Sequence, residues 1–146
     1  MQPVTYMSIA FFLGVLMAIY LPMNSSISRY VDSPITANIT FFLIALLTSI
    51  LLFFLNGQFE SLNKIKEVPV YLYLTGFISA FMILGTTFLI PHLGARKFFI
   101  LLISGQIIMA IVISHFGILE SPKDPISMKK LIGAFVVIMG AFISTH

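Results

Sequence analysis

The sequence predicts an all-α integral membrane protein with five transmembrane helices. Three observations lead to it. Only 9% of the 146 residues are charged and 59% are hydrophobic, whereas ordinary soluble domains carry about 25% charged residues. Eight Lys/Arg and five Asp/Glu cannot cover a water-soluble chain of this length, and the mean hydropathy is +1.07. The apolar residues fall into continuous runs close to the roughly 20 residues that a membrane-crossing helix needs. None of these runs shows the alternation of apolar and polar residues that a membrane β-barrel would require, and there is no tandem repeat.

The first predicted span covers about residues 4–23, with Pro22 kinking its end and Asn24, Ser25 and Ser26 following. The second covers about 34–55. Asp32-Ser33-Pro34 opens it as a helix-start signal, and Asn56-Gly57 closes it. Residues 58–68 (QFESLNKIKEV) form a short solvated connection. The third span covers about 70–90, between Pro69 and Pro91, and His92, Leu93 and Gly94 make a tight turn. The fourth covers about 95–116, headed by Arg96 and Lys97. Residues 117–127 form a loop with two prolines. The fifth and shortest span covers about 128–144, with Lys129 and Lys130 snorkelling at its head. All five spans belong to one domain, residues 1–146. Tyr6, Tyr20, Tyr30, Tyr71 and Tyr73 fall near span ends, and all but Tyr20 read as interfacial anchors.

Charge and cysteine content narrow the partners. The net charge of +3 is spread over short loops and makes no basic face for nucleic acid. With no cysteine there is no disulfide and no thiolate metal site. A cleaved signal peptide is not expected, because residues 1–5 lack a positive segment and no small-x-small site follows the first run. Counting five spans, Lys64, Lys66, Lys123, Lys129 and Lys130 lie on the amino-terminal side, against Arg29, Arg96 and Lys97 on the other. The bias leans toward a cytoplasmic amino terminus, and one this small also suits a chain that inserts both ways.

All five acids (Asp32, Glu60, Glu67, Glu120, Asp124) lie in loops or at helix ends. A buried carboxylate shared by proton and cation, the device of many proton-driven exporters, is therefore hard to build. The candidates are uncharged polar groups and histidine. Gln106, Ala110 and Ser114 share a stripe of the fourth helix at i, i+4, i+8. Gln106 there either bonds across to a neighbouring helix, the commoner outcome in bundles, or faces a cavity and holds a solute. His115 lies one residue off the stripe at the membrane edge. Interfacial placement is its default, and proton handling is the sharper reading. Tyr20 and Asn24 are also i, i+4, with Pro22 between them freeing a carbonyl, a pattern found at membrane binding sites. Asn38 and Thr40 read as interfacial. Gly133 and Gly140, with Ala141, give the fifth helix a small face suited to close contact within the chain or across a dimer. No catalytic constellation is present and no metal site has enough ligands, so no enzyme, metal or cofactor is expected.

From the third span's end onward the order LIPHLGARKFF, SGQ, SHFGIL, a proline-containing loop and KKLIGAFVVIMGAFI resembles the YdcZ family of the drug/metabolite transporter (DMT) superfamily. That family's pattern matches here at Pro91, Leu93, Gly94, Gly105, Gln106, His115, Phe116, Gly117 and Gly133. LPMNSSIS resembles its first-helix segment, with Asn24 at the central asparagine. The resemblance covers nearly the whole chain. One departure is Ser114, where relatives often carry an acid. The resemblance implies one EamA-like half of a ten-helix DMT fold, completed by a homodimer, antiparallel if the chain has dual topology.

The expected function is a small multi-pass transporter in the bacterial inner membrane, moving a small organic solute by alternating access. A neutral or zwitterionic solute fits better than a lipophilic cation. Asn24, Gln106, Tyr20, Ser114 and His115 are the expected solute contacts, and the expected partners are the lipid bilayer, the solute and a second copy. The competing expectation is a non-transporting membrane subunit that packs on a partner protein through Gly133 and Gly140.

Overall fold

A computed structural model describes residues 2–57 and 59–145. Gln58, placed by the sequence in the solvated connection, lies outside the described residues. In chain order the elements are α1 (Gln2–Tyr30), α2 (Pro34–Asn56), 3-10 segments Phe59–Glu67 and Val70–Tyr73, α3 (Leu74–Leu93), α4 (Ala95–Phe116), a 3-10 turn Ile118–Glu120 and α5 (Met128–Thr145). Among the described residues there is no strand. Among the described residues four segments are long and apolar enough to cross a membrane: Val4–Tyr30, Pro34–Asn56, Val70–Leu93 and Ala95–Phe116. The fifth expected span is a helix of 18 residues and stands outside that set of four.

Helix ends follow local chemistry. Ser33 caps α2, its Oγ accepting the Thr36 N–H at 3.2 Å, and Pro34 occupies the first turn, where its missing N–H costs nothing. Gly57 ends α2 with φ 65°, the left-handed conformation that glycine adopts freely. Gly117 ends α4 in the same way, its N–H bonding the Ile113 carbonyl.

Two expected boundaries are corrected. α1 does not end at Met23. It runs through Pro22 to Tyr30, so Tyr20 lies inside the helix rather than at its end. α3 likewise passes through Pro91 to Leu93, which puts His92 in its last turn, with Nδ1 2.7 Å from the Phe88 carbonyl. One proline removes one helical hydrogen bond without having to end a helix. At Pro91 a side chain of the neighbouring α1, Ser25, donates to the carbonyl that the proline frees. Asn24, Ser25 and Ser28 are not a solvated exit from the membrane. They are buried inside the helical unit.

The chain forms two compact units, Met1–His92 and Leu93–His146. In the first, α1 packs along α2, and side-chain hydrogen bonds tie both helices to α3. Its buried residues are Leu21, Ala37 and Ile90 together with Asn24, Ser25, Ser28, Thr86 and Thr87. Most of this interior is polar, while Leu, Ile and Phe side chains cover the outside. Lipid tails are as apolar as leucine, so apolar side chains gain little by turning inward, whereas polar groups gain hydrogen bonds there. In the second unit α4 packs against α5, and the connecting turn folds back on α4.

Candidate functional site

The polar seam of the first unit is built around Thr87, which is 1% exposed. Its Oγ1 donates to the Ile83 carbonyl at 2.7 Å, the usual back-bond of a helical threonine. That uses its one hydrogen. Asn24 Nδ2 donates to the same Oγ1 at 2.7 Å. With the hydroxyl hydrogen committed to Ile83, only the amide's NH2 can face Thr87, which fixes the Asn24 orientation. Asn24 Oδ1 is therefore turned away from Thr87. It is buried, and among the described residues it has no hydrogen-bond partner.

Ser25 Oγ donates to the Thr87 carbonyl at 3.3 Å. In a regular helix that carbonyl would accept the N–H of residue 91, but residue 91 is proline. Asn38 of α2 repeats the Asn24 arrangement. Its Nδ2 donates to the Ala80 carbonyl at 3.2 Å, and its buried Oδ1 has no partner among the described residues. Ala80 and Thr87 are two helical turns apart, so both asparagines grip one face of α3. Each spends one N–H of its amide there, and each has an Oδ1 without a partner among the described residues.

Beside this seam is a cleft of about 270 Å³ between α1 and α2. Tyr20, Met23, Asn24 and Ile27 line one side, and Phe41, Ile44 and Ala45 the other. The Tyr20 and Phe41 rings stack at 5.8 Å with 21° between their planes. Tyr20 and Asn24 thus share one cleft, as their i, i+4 spacing predicts.

The second unit treats the other candidates differently. Ala110 and Ser114 line a cleft of about 230 Å³ with Ile107, Ile111, Asp124, Ile126 and Lys130. Gln106 is not in that lining. It is exposed on α4 and has no hydrogen bond among the described residues. The loop after α4 is pinned to the helix end. Asp124 N–H donates to the Ser114 carbonyl at 2.8 Å, and Ile126 N–H donates to His115 Nδ1 at 3.1 Å. Lys130 Nζ pairs with the Asp124 carboxylate and donates to the Pro125 carbonyl at 2.8 Å. As an acceptor, His115 Nδ1 carries no proton, and its ring serves here as a loop anchor. Gly140 and Ala141 border a third cleft with Ile100, Ile103 and Ser104 of α4. A Cβ added at Gly133 or Gly140 would meet nothing within 4 Å. Among the described residues no three His, Asp or Glu side chains gather as a metal site would need.

Residues 5–143 match the family model described as "Putative inner membrane exporter, YdcZ". The chain belongs to the YdcZ family. No curated protein matches it, and no solved structure does. The YdcZ family is one of transporters rather than enzymes, and among its described residues this member has four helices long and apolar enough to cross a membrane. It is a multi-pass inner-membrane protein of the transporter class.

In this YdcZ-family chain the sequence singled out Asn24 and Tyr20, which line one cleft, but not the groups packed against them. Thr86 and Thr87 sit in an apolar run where threonine passes as a tolerated helix residue, and Asn38 read as interfacial. A signal was present. Pro91 lies four residues after Thr87, marking the carbonyl that needs an outside donor. Phe41 was one of fifteen phenylalanines, and nothing in its spacing sets it apart.

Proposed function

We propose that this YdcZ-family protein moves a small organic solute across the inner membrane by alternating access, with the Asn24 cleft as its solute contact. The observation that carries this reading is the Asn24 side chain. It is 3% exposed, lines the cleft and keeps an unpartnered acceptor. A buried, unsatisfied polar atom is costly and persists where it serves function. Tyr20 and Phe41 supply an aromatic wall for an apolar part of the solute. Gln106 on α4 is proposed as a solute contact in its own right. Ser114 and His115 contribute through the loop they hold.

All five α-helices are proposed to span, forming one EamA-like half that a second, antiparallel copy completes into a ten-helix DMT transporter. Two features support a second copy. Gln106 is an exposed amide in an apolar helix, where hydrocarbon offers it no hydrogen bond. Among the described residues nothing lies within 4 Å of a Cβ added at Gly133 or Gly140, which leaves room for close helix contact.

The test is flux in proteoliposomes loaded with a mixture of labelled neutral and zwitterionic metabolites. At least one should cross faster than in empty vesicles, and Asn24→Leu should remove that flux. No difference from empty vesicles for any solute would sink the transporter reading. Since the chain has no cysteine, Gly133→Cys and Gly140→Cys give clean crosslinking reporters. Homodimer bands are expected in membranes. The open glycine face also suits a foreign membrane partner, and a heterologous crosslink in place of the homodimer would favour a non-transporting subunit.

A further inference from the structure

We infer that the 3-10 segment Phe59–Glu67 is a lipid-binding surface. It lies flat in the headgroup boundary of the bilayer, with Phe59, Leu62 and Ile65 turned to the acyl chains. This requires only that α2 and Val70–Leu93 cross the membrane, and it holds whether or not the protein moves a solute.

The apolar line comes from the type of helix. A 3-10 helix has 3.0 residues per turn, so side chains three apart stand one above another, and long runs of it are uncommon. Here it runs for nine residues, FESLNKIKE. Phe59, Leu62 and Ile65 therefore form one line. The second line is Glu60, Asn63 and Lys66, and the third is Ser61, Lys64 and Glu67, so both are polar throughout. Wound as an α-helix, the three apolar residues would fan over about 120°. Each of them stays close to half exposed (51%, 49% and 49%), so the described residues leave the line open.

The points where the segment is tied say what covers that line. Phe59 meets the rings of Phe53 and Phe54, near the end of α2, at centroid distances of 5.2 and 5.9 Å. At the other end the Tyr73 hydroxyl, from the head of Val70–Leu93, donates to the Ile65 carbonyl at 2.8 Å. One span ends and the next begins on the same membrane face. A segment about 18 Å long, fastened at both ends to two such spans, stays at that face. Phe54 and Val70, in the spans on either side, are exposed as well, so lipid-facing surface flanks the line at both ends. In water the line would leave three large apolar side chains wet. At the boundary it enters roughly 5–10 Å into the apolar layer, and the polar lines keep the headgroups and water. Two lysines and two glutamates on those lines cancel, so apolar burial holds the segment rather than attraction to anionic lipid.

The experiment is spin labelling of the full-length protein in phosphatidylcholine vesicles. The chain has no cysteine, so Phe59→Cys, Glu60→Cys, Leu62→Cys, Asn63→Cys, Ile65→Cys and Lys66→Cys each carry a single nitroxide. Collisions with oxygen, which concentrates in lipid, are compared with collisions with a water-soluble nickel chelate. The oxygen-to-nickel ratio at positions 59, 62 and 65 should exceed that of the polar neighbours at least about threefold, so that it rises and falls with a period of three. Leu62→Asp should lower the ratio at the Ile65→Cys label at least about twofold, since a carboxylate does not enter the apolar layer. Added phosphatidylglycerol should leave the pattern as it is. High nickel access at all six positions would overturn the inference, because the segment would then be a solvated loop. Low access to both reagents along the apolar line would overturn it too, because protein, a second copy or another chain, would then be the cover. A pattern that appears only with phosphatidylglycerol would assign the binding to the lysines instead of the apolar line.

Discussion

Ser25 Oγ donates to the carbonyl of Thr87 at 3.3 Å, and Pro91 is the reason that carbonyl is free. A proline within α3 would be expected to weaken the helix. Its effect here is to turn one backbone acceptor into an attachment point for α1. The bond therefore has a condition attached. Ser25→Ala should lower stability by about 0.5–1.5 kcal/mol in the natural chain, toward the low end because the bond is long. In a Pro91→Ala background residue 91 regains its N–H and can bond Thr87 itself, so Ser25→Ala should then cost close to nothing. Reversible unfolding of the four variants in mixed micelles gives the coupling directly. Equal costs in both backgrounds would mean that the serine and the proline are unrelated.

Thr87 carries the other half of the seam. Thr87→Val keeps the shape and deletes the hydroxyl, which leaves Asn24 Nδ2 buried without its acceptor. The expected loss is about 1–3 kcal/mol, the cost of an unsatisfied buried polar group. Thr87→Ser retains the oxygen and should recover most of it. The valine variant should also lower any flux that depends on Asn24, because nothing then holds its amide in one orientation. Stability and flux falling together is the outcome that ties the seam to the site.

Much of this was legible in the sequence, for physical reasons that also explain what was not. Apolar run length announced the helices, and Ser33-Pro34 and Asn56-Gly57 marked the ends of α2, because caps are chemistry local to a few residues. Asn24 and Tyr20 stood out because an amide and a phenol near a proline are costly in lipid. What could not be read was direction. Asn24, Ser25 and Ser28 are as consistent with a loop at the membrane surface as with a buried seam, and only the partner on α3 decides between them. Thr87 is marked only by Pro91 four residues on, since threonine can satisfy itself within its helix. His115 was visible as a titratable group, but its tie to Ile126 depends on a loop path that no periodicity encodes.

That loop path is testable at Gly117 and His115. Gly117 has φ 65°, and a Cβ there would lie 3.4 Å from the Lys123 Cβ. Gly117→Ala should cost about 1 kcal/mol from the left-handed backbone alone and should loosen the turn. His115→Phe removes the acceptor of the Ile126 N–H, so that amide should exchange with deuterium about two- to tenfold faster. Asp124→Asn should matter less. The Asp124 and Lys130 side chains are 65% and 38% exposed, and exposed pairs contribute less than about 1 kcal/mol. A larger effect from Asp124→Asn than from Gly117→Ala would mean that charge, not backbone geometry, holds the loop.

The last prediction concerns how the chain lies in the membrane. Counting five spans, Lys64, Lys66, Lys123, Lys129 and Lys130 share one side, and Arg29, Arg96 and Lys97 share the other. Orientation follows such loop charges within about 20 residues of the spans. Arg96 and Lys97 are exposed at the head of α4 and make up most of the minority side. Replacing both with serine leaves Arg29 alone against five lysines, so a carboxyl-terminal reporter should then signal almost entirely from the periplasm. Removing Lys129 and Lys130 instead leaves three charges on each side and should give signal from both faces. The natural chain should fall between these two variants, with both orientations populated, as an antiparallel pair requires. A reporter that stays on one face in all three proteins would sink dual insertion, and with it the antiparallel homodimer.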